Sequence, residues 1–120
     1  MERSKLVLDE VNDLYEVATT SMGKWMWRNH TQWVADKAKS LAEKYGADVE
    51  KVYCAALLHD LGDSKYERGD ENFDTWSKEK GEEILLEAGF TQGEVEEVWK
   101  LFALMAHAQA ILQLPKKVEY

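Results

Sequence analysis

The sequence predicts an all-α protein, a single-domain helical bundle of about five main helices spanning residues 1–120. Three observations carry this. Five segments repeat apolar residues at the spacing of a helix face, and glycines punctuate those segments while Pro115 is the only proline. No stretch shows the strict apolar–polar alternation of a half-buried strand. A chain of 120 residues suits one domain and can bury a core without disulfides or structural metals.

The first helix is expected from about Lys5 to Thr20, with Val7, Val11, Leu14, Tyr15 and Ala18 on one stripe. The second is expected from Asn29 to Gly46. Its opening "NHTQ" has the form of a capping box, Val34, Ala38, Leu41, Ala42 and Tyr45 form its apolar stripe, and Gly46 is a suitable stop. The third starts at Asp48, a natural N-cap, and runs to about Leu61. It has no polar face from Val52 to Leu58 except Tyr53, so it belongs in the centre of the bundle. "GDSKYERGDENFD" reads as a loop. The fourth helix covers about Asp74 to Glu87, with Ile84, Leu85 and Ala88 inward and "AGF" ending it. The fifth opens with Thr91 and Glu94 as a capping box and Phe90 and Val95 as a hydrophobic staple. Its stripe is Val95, Val98, Trp99, Phe102 and Ala106, and Pro115 is expected to close a turn.

Composition narrows the function. A formal net charge of −8 argues against a nucleic-acid partner, which would require a basic face. It leaves room for a small phosphorylated substrate if a bound cation neutralises the phosphate. One cysteine, Cys54, in an apolar run reads as a buried thiol and rules out an internal disulfide. The N-terminus lacks an apolar core of signal-peptide length, and no stretch approaches a membrane span. The expectation is a soluble, cytoplasmic protein with no membrane partner.

The chain has three histidines, His30, His59 and His107, each on or beside an inward stripe. A histidine on an apolar face is more often a core or rim residue than a ligand. Asp60 gives the pattern its edge, because a carboxylate is disfavoured at the negative end of a helix. A cation shared by His59, Asp60 and His30 would turn that repulsion into attraction. Imidazole with carboxylate suits manganese, iron, zinc, cobalt or nickel, and magnesium where carboxylate and water dominate.

"RNHTQWVADKAKSLAEKYG" followed by "KVYCAALLHDLGDSKY" resembles the HD-domain metal-dependent phosphohydrolase superfamily. That family has a first histidine opening one helix, a His-Asp pair about a helix-turn-helix later, and a closing aspartate on a later helix. Here His30 matches the first histidine, and His59 and Asp60 match the pair within "ALLHDLGD". "SKEKGEEILLEAGF" and "LFALMAHA" resemble the next two helices. The sequence departs from the family twice. Ser77 stands where many members carry a further histidine, which favours one metal over two. No aspartate follows His107, so the domain is expected to lack the helix that carries the closing aspartate, with water, Glu119 or a partner chain in its place.

The resemblance implies hydrolysis of a nucleotide or another small phosphoester at one divalent transition metal held by His30, His59 and Asp60. Asp60 would also orient the attacking water or take its proton, and His107 would stabilise the phosphate or protonate the leaving group. Lys65 is a candidate phosphate contact, although a solvated loop lysine is an equally good reading. Asp63 would hold Lys65 or a ligand histidine, or serve only as a turn residue. Trp25 and Trp27 can wall the pocket, although core packing is the commoner role of such residues. The competing reading, favoured by the missing aspartate, is a catalytically weak or inactive HD fold kept as a metal-binding or interaction module. A two-iron oxygenase needs more ligands than the chain offers. An incomplete ligand set leads to the expectation of loosely held metal, and a final helix of only about one turn, which would leave apolar surface uncovered, to that of homo-oligomerisation through the C-terminal side.

Overall fold

The computed structural model describes residues 2–104. Helix α1 (Glu2–Glu16) leads through a short connection to α2 (Gly23–Met26), which passes through a π-helical turn (Trp27–Thr31) into α3 (Gln32–Tyr45). Next come α4 (Val49–Leu58), a 3-10 turn (Leu61–Ser64) and α5 (Phe73–Glu87). A final helix, α6, occupies residues 92–104 of the described chain. Among the described residues there is no strand, so the all-α expectation is met.

Helix α4 is the central rod. Cys54 to Leu58 are each at most 1 % exposed, as expected of a helix without a polar face. Around it pack Val7, Val11 and Tyr15 of α1, Ala35 of α3, Ile84 and Leu85 of α5, and Val95 and Val98 of α6. Helices α3 and α4 pair most extensively, and the buried alanines Ala35, Ala42, Ala55 and Ala56 place little side-chain bulk between them.

Three caps match the reading from sequence. Asp48 accepts a hydrogen bond from the Lys51 amide. Gly46 ends α3 in the left-handed conformation, φ 73°, that glycine adopts without strain. At α6 the Thr91 amide donates to Glu94, and the Glu94 amide donates to Thr91 Oγ1, while Phe90 and Val95 are both buried.

Other expectations need correction. Helix α1 ends at Glu16 rather than Thr20, and α4 stops at Leu58, short of Leu61. "NHTQ" is not a cap: the chain is already helical from Gly23, and neither Met26 nor Thr31 supplies a side-chain cap. Asn29 instead donates its side-chain amide to the Trp25 carbonyl, a backbone acceptor beside the π turn. A π turn adds a residue per turn and shifts the phase of the helix that follows. Within α3 itself, Ala35 and Ala42 face inward together with Thr31 before it, Val34 and Ala38 are half-buried, and Leu41 and Tyr45 are exposed. Trp27 is core rather than pocket wall, stacked on Tyr15 at 5.0 Å with Nε1 donating to Asn12, and Trp25 is exposed. The expectations for Ala106, His107, Pro115 and Glu119 lie outside the described residues.

Candidate metal centre

The end of α4 builds the site. The last turn is loose, with the His59 amide 3.4 Å from the Ala56 carbonyl. His59 Nδ1–H donates to that same carbonyl at 2.5 Å, which fixes the ring and leaves Nε2 as its free nitrogen. Asp60 then leaves helical geometry at φ −119°, ψ 26°. Its carbonyl accepts a 2.7 Å hydrogen bond from the buried Tyr15 hydroxyl, which pins the turn to α1. The Thr20 hydroxyl donates to the Asp63 carbonyl and ties the 3-10 turn to the α1–α2 connection. Gly62 allows α5 to close over this turn, because a Cβ there would lie 2.6 Å from both the Phe73 ring and Ser77 Oγ.

The π turn delivers His30 from the other side. His30 Nε2 and His59 Nε2 lie 3.8 Å and 2.9 Å from the same Asp60 Oδ2. Their rings are 5.7 Å apart, and the three ligand-type atoms all fall within 4.8 Å of one another. Among the described residues this is the one group of three or more such side chains able to hold an ion.

His59 Nε2 is buried and has no aligned hydrogen-bond partner, although the Asp60 carboxylate is 2.9 Å away. With the Nδ1 proton committed to Ala56, a neutral His59 sets its lone pair against a carboxylate oxygen. That arrangement requires a proton or a cation between them. Burial alone disfavours the imidazolium, but the adjacent carboxylate outweighs it and the His59 pKa is raised. Burial also works against the charged form of Asp60, yet His59, Arg68 and His30 together hold its carboxyl below the usual range. The donor set, the orphaned nitrogen and the depressed carboxyl fit a divalent cation.

The structure does not bring every singled-out residue here. Lys65 is exposed, with Nζ 5.2 Å above the Trp76 ring, and it borders a different pocket. The cation at the site is Arg68, which the reading from sequence missed. Arg68 makes a bidentate pair with Asp63 at 2.7 and 3.0 Å and lies 3.7 Å from Asp60 Oδ1. Asp63 is a buried residue of the 3-10 turn, only 1 % exposed, and its carboxylate pairs with Arg68 rather than with Lys65 or a ligand histidine. The available signal was a lone arginine in the acidic run "ERGDE", five residues beyond Asp63.

A family model described as HD domain matches residues 27–116, three quarters of the chain. The chain belongs to the HD domain family. HD domains make up a superfamily of metal-dependent phosphohydrolases, and the His30–His59–Asp60 cluster is compatible with such a metal. No curated protein and no solved structure shows significant similarity to the chain. Ser77 lines a cavity beside His59 and donates its hydroxyl to the Phe73 carbonyl. Among the described residues, no helix of this HD domain is long and apolar enough to cross a membrane.

Proposed function

We propose that this HD domain hydrolyses a small phosphomonoester, such as a nucleotide, with one divalent cation held by His30, His59 and Asp60. The observation that carries the reading is His59 Nε2, buried without an aligned hydrogen-bond partner 2.9 Å from the Asp60 carboxylate. When bound, the cation supplies Lewis acidity to a phosphoryl oxygen and acidifies water. Manganese, iron, cobalt, nickel and zinc suit the ligands, and magnesium is acceptable. Asp60 accepts a proton or orients water at the carboxylate oxygen nearer Arg68. Arg68 takes the role first assigned to Lys65: it is half-exposed and its guanidinium lies at the mouth of the cluster, where it can bind phosphate oxygens. In the overall step, a water oxygen bonds to phosphorus as the bond to the alcohol oxygen breaks, and the water proton passes to the departing alcohol. His107 is retained as the group that would protonate that oxygen or stabilise the phosphate.

The test is metal content and turnover together. His59→Ala should lose most bound metal, retain its helical circular dichroism, and abolish chelator-sensitive hydrolysis of nucleoside monophosphates with manganese, cobalt or nickel. Full metal loading in His59→Ala would refute the ligand assignment. Metal binding without hydrolysis across a broad phosphoester panel would favour the binding-module reading instead.

A further inference from the structure

Two of the candidate ligands, His59 and Asp60, each line one of two cavities of different character. One, of about 400 Å3, is lined by Asp60, Arg68, Asp70 and the backbone around Gly69. The other, of about 320 Å3, lies against His59 and is walled by Phe73, Trp99 and Phe102, with Asp74 and Lys78 also on its lining. Phe73 and Asp74 border both, so the cavities adjoin across the start of α5.

The aromatic walls are held in place by the backbone. The Phe73 ring rests on Gly62, where a Cβ would come within 2.6 Å of it. Trp99 rests on Gly81, where a Cβ would approach the ring to 2.7 Å. Phe102 meets Trp99 edge-on at 5.5 Å and 78°. Ser77 stands within the cavity with its hydroxyl turned back to the Phe73 carbonyl. The volume is at the small end of ligand pockets, room for a compact ring system. Flat rings gain most from such walls, by area and by face and edge contacts.

We propose that the aromatic cavity receives the leaving group, and that the substrate is a phosphomonoester of an alcohol that carries a flat aromatic or heteroaromatic ring. Its phosphate faces Arg68 and its ring faces Trp99 and Phe102. This rests on the phosphoester reading above. The polar cavity is acidic apart from Arg68, so a phosphate enters it with the cation, whereas the ring needs no charge partner. Selectivity therefore resides on aromatic walls from α5 and α6, beside the candidate ligand His59.

The test compares 2-(1-naphthyl)ethyl phosphate with ethyl phosphate, alkyl esters of similar leaving-group acidity, in the manganese-loaded full chain, and measures 1-naphthol binding separately by tryptophan fluorescence without metal. Wild type should prefer the naphthyl ester by at least about tenfold in kcat/KM, a fraction of the gain from burying a ring. Ser77→Phe fills the cavity and should collapse that preference and weaken naphthol binding about tenfold or more. Ser77→Leu, a smaller plug, provides the same comparison if Ser77→Phe loses its helical signal. Hydrolysis of both esters without preference, with no naphthol binding, overturns the cavity assignment alone. Naphthol binding without hydrolysis of either ester refutes the hydrolase reading, and the leaving-group role with it.

Discussion

Arg68 is half-exposed yet tethered to a carboxylate that is almost fully buried, which makes it an arm with a fixed shoulder. Its guanidinium pKa is raised, first by the hydrogen bonds to Asp63, so it stays charged at any working pH. A hydrogen bond to a charged group contributes about 1.5–3 kcal/mol, and exposure puts this one at the low end. Arg68→Ala is therefore expected to raise KM for a phosphoester about tenfold, with a smaller effect on kcat. The substitution also leaves Asp63 buried without its partner, which by itself destabilises the fold. Adding Asp63→Asn should restore thermal stability and leave KM high. If the double variant recovered KM, Arg68 would be a structural residue only.

Helix ends carry the site at the scale of elements. The loose end of α4 frees His59 and Asp60 from regular geometry, and the π turn before α3 brings His30 to meet them. The opposite end of α4 is set by the Asp48 cap. Asp48→Ala removes an acceptor for the Lys51 amide and should cost about 1 kcal/mol, the usual loss for a cap. Chemical denaturation should show this as a lower midpoint with an unchanged slope. Metal affinity should be unaffected, because cap and ligands lie at opposite ends of a helix of 10 residues. A large loss of metal in Asp48→Ala would mean that the register of α4 depends on its cap.

Across the whole molecule, Arg3 links three helix starts. Its guanidinium reaches Glu50 of α4 at 2.5 Å and Glu94 of α6 at 2.9 Å, and it lies 4.1 Å above the Phe90 ring. The hydrogen bond from Arg3 pulls the Glu94 pKa down from 4.5 to about 2, with the Thr91 amide adding to the effect. A carboxyl depressed in the folded state stabilises fully above its unfolded pKa, and that contribution is lost as pH falls toward the folded value. The Glu94 share of stability should accordingly be intact above about pH 4.5 and vanish as pH falls toward about 2. Arg3→Ala should lower the melting temperature by a few degrees at pH 7 and flatten its decline over that acid window. An undiminished acid decline in the variant would place the sensitivity elsewhere. Screening by salt should shrink the difference, since all three groups are partly exposed.

Local signals were legible in the sequence because they act over a few residues. The apolar run of α4, the Asp48 cap, the Gly46 stop and the Thr91–Glu94 box with its Phe90–Val95 staple all lie within one turn of their partners. The His59–Asp60 pair was legible for the same reason, as a carboxylate placed where the helix dipole disfavours it. The tertiary structure decided what depends on phase and distance. The inward face of α3 was misread at Leu41 and Tyr45, because the helix buries the small Ala35 and Ala42, which carry a weaker apolar signal in the sequence than their larger neighbours. Lys65 and Arg68 are three residues apart in one loop, and sequence offers no ground for choosing between them. The packed chain separates them, with Arg68 paired to the buried Asp63 near Asp60 and Lys65 over the Trp76 ring. Only the packed chain could bring His30 within 3.8 Å of Asp60, across thirty residues and two helix ends. The same packing faced His59 Nε2 toward the Asp60 carboxylate with no hydrogen-bond partner of its own, a relation between surfaces that a linear pattern does not contain.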